Sequence, residues 1–105
     1  MKDQKSLILE FRQIPGVGKS IAQDLIDLGF TSVPELKGKN PQSLYEDLCA
    51  ARSMALDRCM LYVFRTAVYF AEDKQHDPEL LKWWNWKDKN LKNISAEDLA
   101  VIHVR

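Results

Sequence analysis

The 105-residue sequence sets 15 basic side chains against 15 acidic ones, for a formal net charge of zero, and is 46% hydrophobic. That length and apolar content support one compact domain with a small core, and the neutral balance excludes a bulk electrostatic coat for nucleic acid, so any such contact must be local. Cys49 and Cys59 are too few for a disulfide framework and lack C-x-x-C spacing, which predicts buried reduced thiols; no apolar run approaches the ~20 residues of a membrane span, which predicts a soluble cytoplasmic protein without membrane contact.

Leu7, Ile8, Phe11 and Ile14 recur at helical spacing, predicting a short amphipathic helix from about Lys5 to Gln13. Pro15 then fixes its own φ and pushes Ile14 out of the helical region, so the helix must stop there. Gly16 and Gly18 permit positive φ and let a backbone or a ligand approach without a Cβ in the way. Directly afterwards Ile21, Ala22, Leu25, Ile26 and Leu28 form a second stripe, predicting a helix from Lys19 to Leu28, with Gly29 as its left-handed terminator and Phe30 packing back on Leu25. The free amides of that helix's first turn point into the glycine turn, where an anion such as a phosphate could sit beside Lys19.

Ser32-Val33-Pro34-Glu35 has capping-box spacing, predicting one helical turn to Lys37 before Gly38. Asn40-Pro41 is an N-cap followed by proline at the first helical position, and Leu44, Tyr45, Leu48 and Cys49 supply the stripe of a third helix, with a tight turn near Arg52 to Met54. From Leu56 to Asp73 the sequence predicts the longest helix, apolar on nearly all sides and therefore central, packed from two directions. Asp77-Pro78 repeats the cap pattern and leads into a Trp-rich helix, Glu79 to Trp86. Either Leu80, Leu81 and Trp84 close the second side of the long helix, or Trp83 or Trp86 serves a base or a partner protein. Residues 87–90 look like a solvated linker. Ser95 to Asp98 suits the cap of a last short helix with Leu99 and Ile102, whose ending at Val101 to Arg105 equally suits a strand or a loose tail.

The order helix, Pro15-Gly16-Val17-Gly18 turn, helix with Ala22 resembles the helix-hairpin-helix family. The resemblance implies an all-α fold, a small helical bundle in which a second, degenerate unit over Tyr45 to Tyr69 completes a paired, SAM-like architecture. It further implies backbone-phosphate binding without sequence reading, through the amides of Gly16, Gly18 and Lys19, with Val17 at the turn and the Lys19 and Ser20 side chains beside them. The carbonyls of Arg12, Ile14 and Val17 would hold a K+ or Na+ ion bridging to the same phosphate; no other cofactor and no firm metal site are implied. A nest of amides at a helix start needs little net charge, which fits this neutral chain. The second unit departs from the pattern, since Ala51 to Leu56 contains no glycine.

Across Phe11 to Asp88 the sequence is similar to the small bacterial pathogenicity-locus family, members of which are often labelled mitomycin-resistance proteins. The residues carrying the likeness are the hairpin, Arg58-Cys59, Tyr62, Arg65 and Tyr69, and the run Asp77 to Asp88 with its three tryptophans. The hairpin also resembles the C-terminal domain of bacterial competence regulators. Residues 1–88 are therefore expected to form the bundle, with 89–105 as an extension rather than a separate domain. Cys49 or Cys59 with His76 has no spacing that brings nucleophile and base together, and His76 and His103 lack partners at metal-ligand spacing, so no enzyme activity is expected. Arg52, Arg58 and Arg65 either form a phosphate-facing strip or pair with Glu46, Asp57 or Asp73. Two readings stand: a DNA-binding module gripping one phosphate through Gly16 to Ser20, and a protein-interaction module using Trp83 to Trp86, favoured by the neutral charge and by Asp24 and Asp27.

Overall fold

A computed structural model describes residues 3–72 and 75–104. Among these the chain is all helical, and no helix is long and apolar enough to cross a membrane. Helix α1 (Gln4–Phe11) starts where the Asp3 carboxylate accepts the Ser6 amide at 2.8 Å, and buries Ile8 and Phe11. Helix α2 (Lys19–Asp27) ends as its sequence predicts. Gly29 takes φ 98°, its amide bonds to Ile26, and the Phe30 amide reaches back to the Leu25 carbonyl at 3.1 Å. Ala22 is wholly buried, so α1 and α2 lie close across the glycine turn.

The turn Val33–Leu36 is a 3-10 turn. The Ser32 side chain makes no cap bond to a backbone amide; its hydroxyl donates to the Glu35 carboxylate at 3.3 Å, and Glu35 accepts the Thr31 amide, one residue before the cap, at 3.0 Å. Helix α3 (Pro41–Arg52) is capped by Asn40, which accepts from the Gln42 amide. It ends at Ser53, which adopts φ 55° and supplies without glycine the left-handed residue that the turn needs; the Met54 amide closes on the Cys49 carbonyl.

Helix α4 (Cys59–Phe70) begins three residues later than its apolar pattern suggests. The reason is local. The Asp57 carboxylate accepts the Cys59 amide at 2.8 Å and so fixes the start, while the Tyr45 hydroxyl donates to the Leu56 carbonyl and holds that residue outside the helix. The predicted far end at Asp73 lies outside the described residues. Cys59 is consequently exposed on the first turn, and Cys49 is half-buried, so the thiols are free but not buried as the sequence suggested. The rest of α4 is central. Val63, Phe64, Ala67 and Val68 join Ile8, Phe11, Ile14, Val17, Ala22, Leu25, Leu36, Leu44 and Leu48 in the main core. Tyr69 faces a second core with Leu80, Trp86 and Ile102.

The Trp segment is not a continuous helix. It is three 3-10 turns, Pro78–Leu81, Trp83–Trp86 and Asp88–Asn93, separated by extended Lys82 and Lys87. Three residues per turn put Leu80, Trp83 and Trp86 on the inward edge. Trp86 is therefore fully buried, its indole N–H donating to the Leu80 carbonyl at 2.7 Å, while Trp84 is 48% exposed. This reverses the helical-stripe expectation for Trp84 and removes Trp86 from any surface role. Helix α5 (Ala96–Val101) is capped by the Ser95 hydroxyl, and His103, at φ 64°, turns the chain so that Val104 bonds back to Leu99. Ile102 is buried, and the His103 ring nitrogen Nε2 lies 2.9 Å from the Gly38 carbonyl, so the extension is packed onto the same body.

Candidate nucleic-acid interface

The turn between α1 and α2 is built from inside. Phe11, Ile14 and Val17 enter the core, the Ile14 amide bonds to Phe11 and the Val17 amide to Ile14, each at 3.1 Å. Burial of the Val17 side chain leaves Gly16, Gly18, Lys19 and Ser20 exposed on the outer side. The two glycines do different work. Gly16 takes φ 85°, in the left-handed region, and a Cβ there would lie 3.2 Å from Trp83 Cδ1. Gly18 is extended at φ −94°, ψ −170°, has open space where a Cβ would be, and stands as the N-cap of α2 without any side-chain cap. Of the two glycines that permit positive φ, only Gly16 adopts it.

The first intrahelical bond of α2 runs from the Ala22 amide to the Gly18 carbonyl. The amides of Gly18, Lys19 and Ser20 accordingly have no acceptor among the described residues. Of the three carbonyls predicted for a monovalent cation, that of Ile14 already accepts the Val17 amide, and those of Arg12 and Val17 accept nothing among the described residues.

The arginines do not form a free strip. Arg52 donates to Asp24 at 2.6 Å and to Asp27 at 2.8 Å, tying the end of α3 to α2 beside Lys19, Ser20 and Gln23, which line the same shallow cleft. Its donation, with a second bond from Gln23, holds the Asp27 carboxyl below the usual range. Arg58 and Arg65 both meet Asp88, the latter at 3.0 Å, and Tyr62 adds a hydroxyl at 3.1 Å. The Arg65 guanidinium is buried and also donates to the Trp86 carbonyl at 2.8 Å. Donation from Arg58 above all, supported by Arg65 and Tyr62, outweighs partial burial and keeps the Asp88 pKa at about 2. Of the partners considered for these arginines, Asp57 caps α4 instead and Asp73 lies outside the described residues. Asp88, placed by sequence in a solvated linker, is the clamp between α4 and the Trp segment; a lone acid in a Lys-Asp-Lys run gives no hint of that.

The groups considered for chemistry are engaged separately. Cys49 Sγ accepts the Leu56 amide at 3.5 Å, and a hydrogen bond with Asp57 pushes the Cys59 thiol pKa up. His76 stacks on Phe70 at 5.6 Å and meets the Glu72 carbonyl. Among the described residues no group of three or more His, Cys, Asp or Glu side chains could hold a metal ion. The feature that sequence reasoning missed is the aromatic flank of the turn. Trp83 lies against Gly16, Trp84 meets Trp83 edge-on at 5.8 Å and 85°, and Lys87 Nζ stands 5.8 Å from the Trp83 ring centre.

Comparison with known proteins gives two matches. Residues 4–92 match the family described as Pathogenicity locus. The sequence is 31% identical over 81 residues to the mitomycin resistance protein McrB of Streptomyces lavendulae, an alignment covering 77% of this chain and 73% of that protein. No solved structure matches.

Proposed function

The chain belongs to the Pathogenicity locus family, and from that premise and the geometry of its glycine turn we propose that it is a non-enzymatic DNA-binding module of the helix-hairpin-helix kind that grips backbone phosphate without reading sequence. The observation that carries the proposal is the run of amides at Gly18, Lys19 and Ser20, which have no acceptor among the described residues and open onto the empty space beside Gly18. The exposed Gly16 amide, which likewise has no acceptor among the described residues, stands beside them with Trp83 as its neighbour. Lys19 adds a charge and the Ser20 hydroxyl a donor. K+ or Na+ bound at the Arg12, Ile14 and Val17 carbonyls would supply a second positive centre for the same phosphate oxygens. One or two neutralised phosphates give weak binding with a shallow salt dependence, a log–log slope of roughly −1 to −2. Titration of single- and double-stranded oligonucleotides at several salt concentrations tests this: undetectable binding of both at low salt, or a slope far steeper, refutes it.

A second reading has its own observation. Trp84 and Met54 are large apolar side chains left 48% and 59% exposed, and such groups anchor protein partners. A protein-interaction module predicts a partner whose capture survives nuclease treatment and is lost in Trp84→Ala.

A further inference from the structure

Charge is not spread evenly over this neutral chain. Residues 11–23, around the glycine turn, contain Arg12 and Lys19 and no acid, the neighbouring Asp24 being held by Arg52, and residues 80–96 contain four lysines, of which Lys82 pairs with Glu79 at 2.9 Å, against the single acid Asp88. That acid is already held by Arg58 and Arg65. The two basic segments are distant in sequence but join in space, because Trp83 packs on Gly16. At the seam stands Trp84, 48% exposed and fixed edge-on against Trp83, with Asn90 donating to its carbonyl at 2.9 Å. Lys87 lies over the Trp83 ring, so a cation borders the same aromatic pair.

We propose that Trp84, beside Trp83 and Lys87, is a stacking platform for an unstacked base, so that the preferred ligand of this face is a single-stranded nucleic acid rather than an intact duplex. The inference rests on the phosphate-gripping reading of the turn and names its substrate class. In a duplex every base face is covered by its neighbours, and a protruding indole has nothing to stack on. A single strand offers open base faces, and every base has one, so the platform tolerates any sequence. Lys87 at the rings and Lys19 at the turn then meet the strand's phosphates, and a neutral protein achieves this with local charge alone.

The test compares three labelled ligands by fluorescence anisotropy at low salt: a short single strand, its duplex, and an abasic strand of the same length. The single strand should bind tightest of the three and quench tryptophan emission. Trp84→Ala should reduce single-strand affinity roughly 5- to 150-fold while Trp84→Phe keeps most of it, which separates loss of stacking from loss of fold. Single-strand binding no tighter than duplex or abasic binding, or an equal loss on all three ligands in Trp84→Ala, overturns the platform and leaves the phosphate grip standing. No binding to any of the three overturns both, as does capture of a protein through Trp84 in their place.

Discussion

Replacing Gly18 with serine separates what the turn does for folding from what it does for a ligand. Gly18 is the N-cap of α2, already extended at φ −94°, ψ −170°, where serine is unstrained, and nothing lies within 4 Å of the new Cβ. A serine hydroxyl there accepts an amide of the first helical turn, worth a few tenths of a kcal/mol over glycine. Removing a glycine from the unfolded chain adds about 0.4–1 kcal/mol. The net gain of about 0.5–1.5 kcal/mol should raise Tm by roughly 3–10 °C in a domain of this size. The same hydroxyl occupies an amide that the proposed phosphate contact uses, so on that proposal DNA affinity should fall while stability rises. Gly16→Ala should go the other way in stability. Its φ of 85° costs a side chain about 1–2 kcal/mol, and the 3.2 Å approach to Trp83 adds to that. Thermal melting followed by circular dichroism, with an oligonucleotide titration on each variant, checks both. A Gly18→Ser protein that melts below wild type refutes the cap argument, and one that melts higher yet binds DNA unchanged refutes the amide site.

Asp88→Asn should destabilise by about 1–3 kcal/mol in urea unfolding, because it removes the charged partner from buried Arg65. Its folded pKa, about 2, lies below the ordinary 3.8, so the wild-type contribution is complete above about pH 4 and disappears as pH falls toward 2; the variant should lack that step. Trp86→Ala should cost about 3–5 kcal/mol, since it empties a wholly buried site and orphans the Leu80 carbonyl. Trp84→Ala should stay within ~0.5 kcal/mol of wild type, and equal losses at the two positions would refute the burial pattern. Ending the chain after residue 92, where the family match stops, should cost about 2–4 kcal/mol through loss of the buried Ile102 and of the His103 contact to Gly38. Unchanged melting of that truncation would show the extension to be unimportant for folding.

Much of the first half of the fold was legible because its signals are local. Asn40-Pro41, Gly29-Phe30 and the Ile8–Phe11–Ile14 stripe each act within one turn of helix, and each forms as its chemistry dictates. The second turn shows the limit of reading glycine as the only left-handed residue. Ser53 takes that conformation once α3 is anchored by Arg52 on Asp24 and Asp27, a tertiary contact that sequence spacing does not reveal. The Trp segment failed for a different reason. Helical and 3-10 periods differ by little over four residues, yet they exchange Trp84 for Trp86 in the core. The choice between them is set by Arg65 and Asp88, which hold the carbonyl of Trp86 and the start of the next turn against α4.

That same packing alters how the two functional readings can be told apart. From sequence they occupy different places, the glycine turn for DNA and the tryptophans for a partner, so changing either set appears decisive. Trp83 removes the separation by lying on Gly16. Truncating Trp83 would release the backbone of the turn and unseat the edge-on ring of Trp84 together, and binding of either kind would suffer. Trp86 is no better, because its loss opens the second core. The informative positions are the two ends of the patch that carry no packing burden: Gly18, where open space lies beside free amides, and Trp84, whose ring faces solvent. A loss confined to Gly18 variants means a phosphate grip alone. A loss at both, graded by whether the ligand has bases, means one continuous nucleic-acid site, and a loss at Trp84 alone with nuclease-resistant capture means a protein surface.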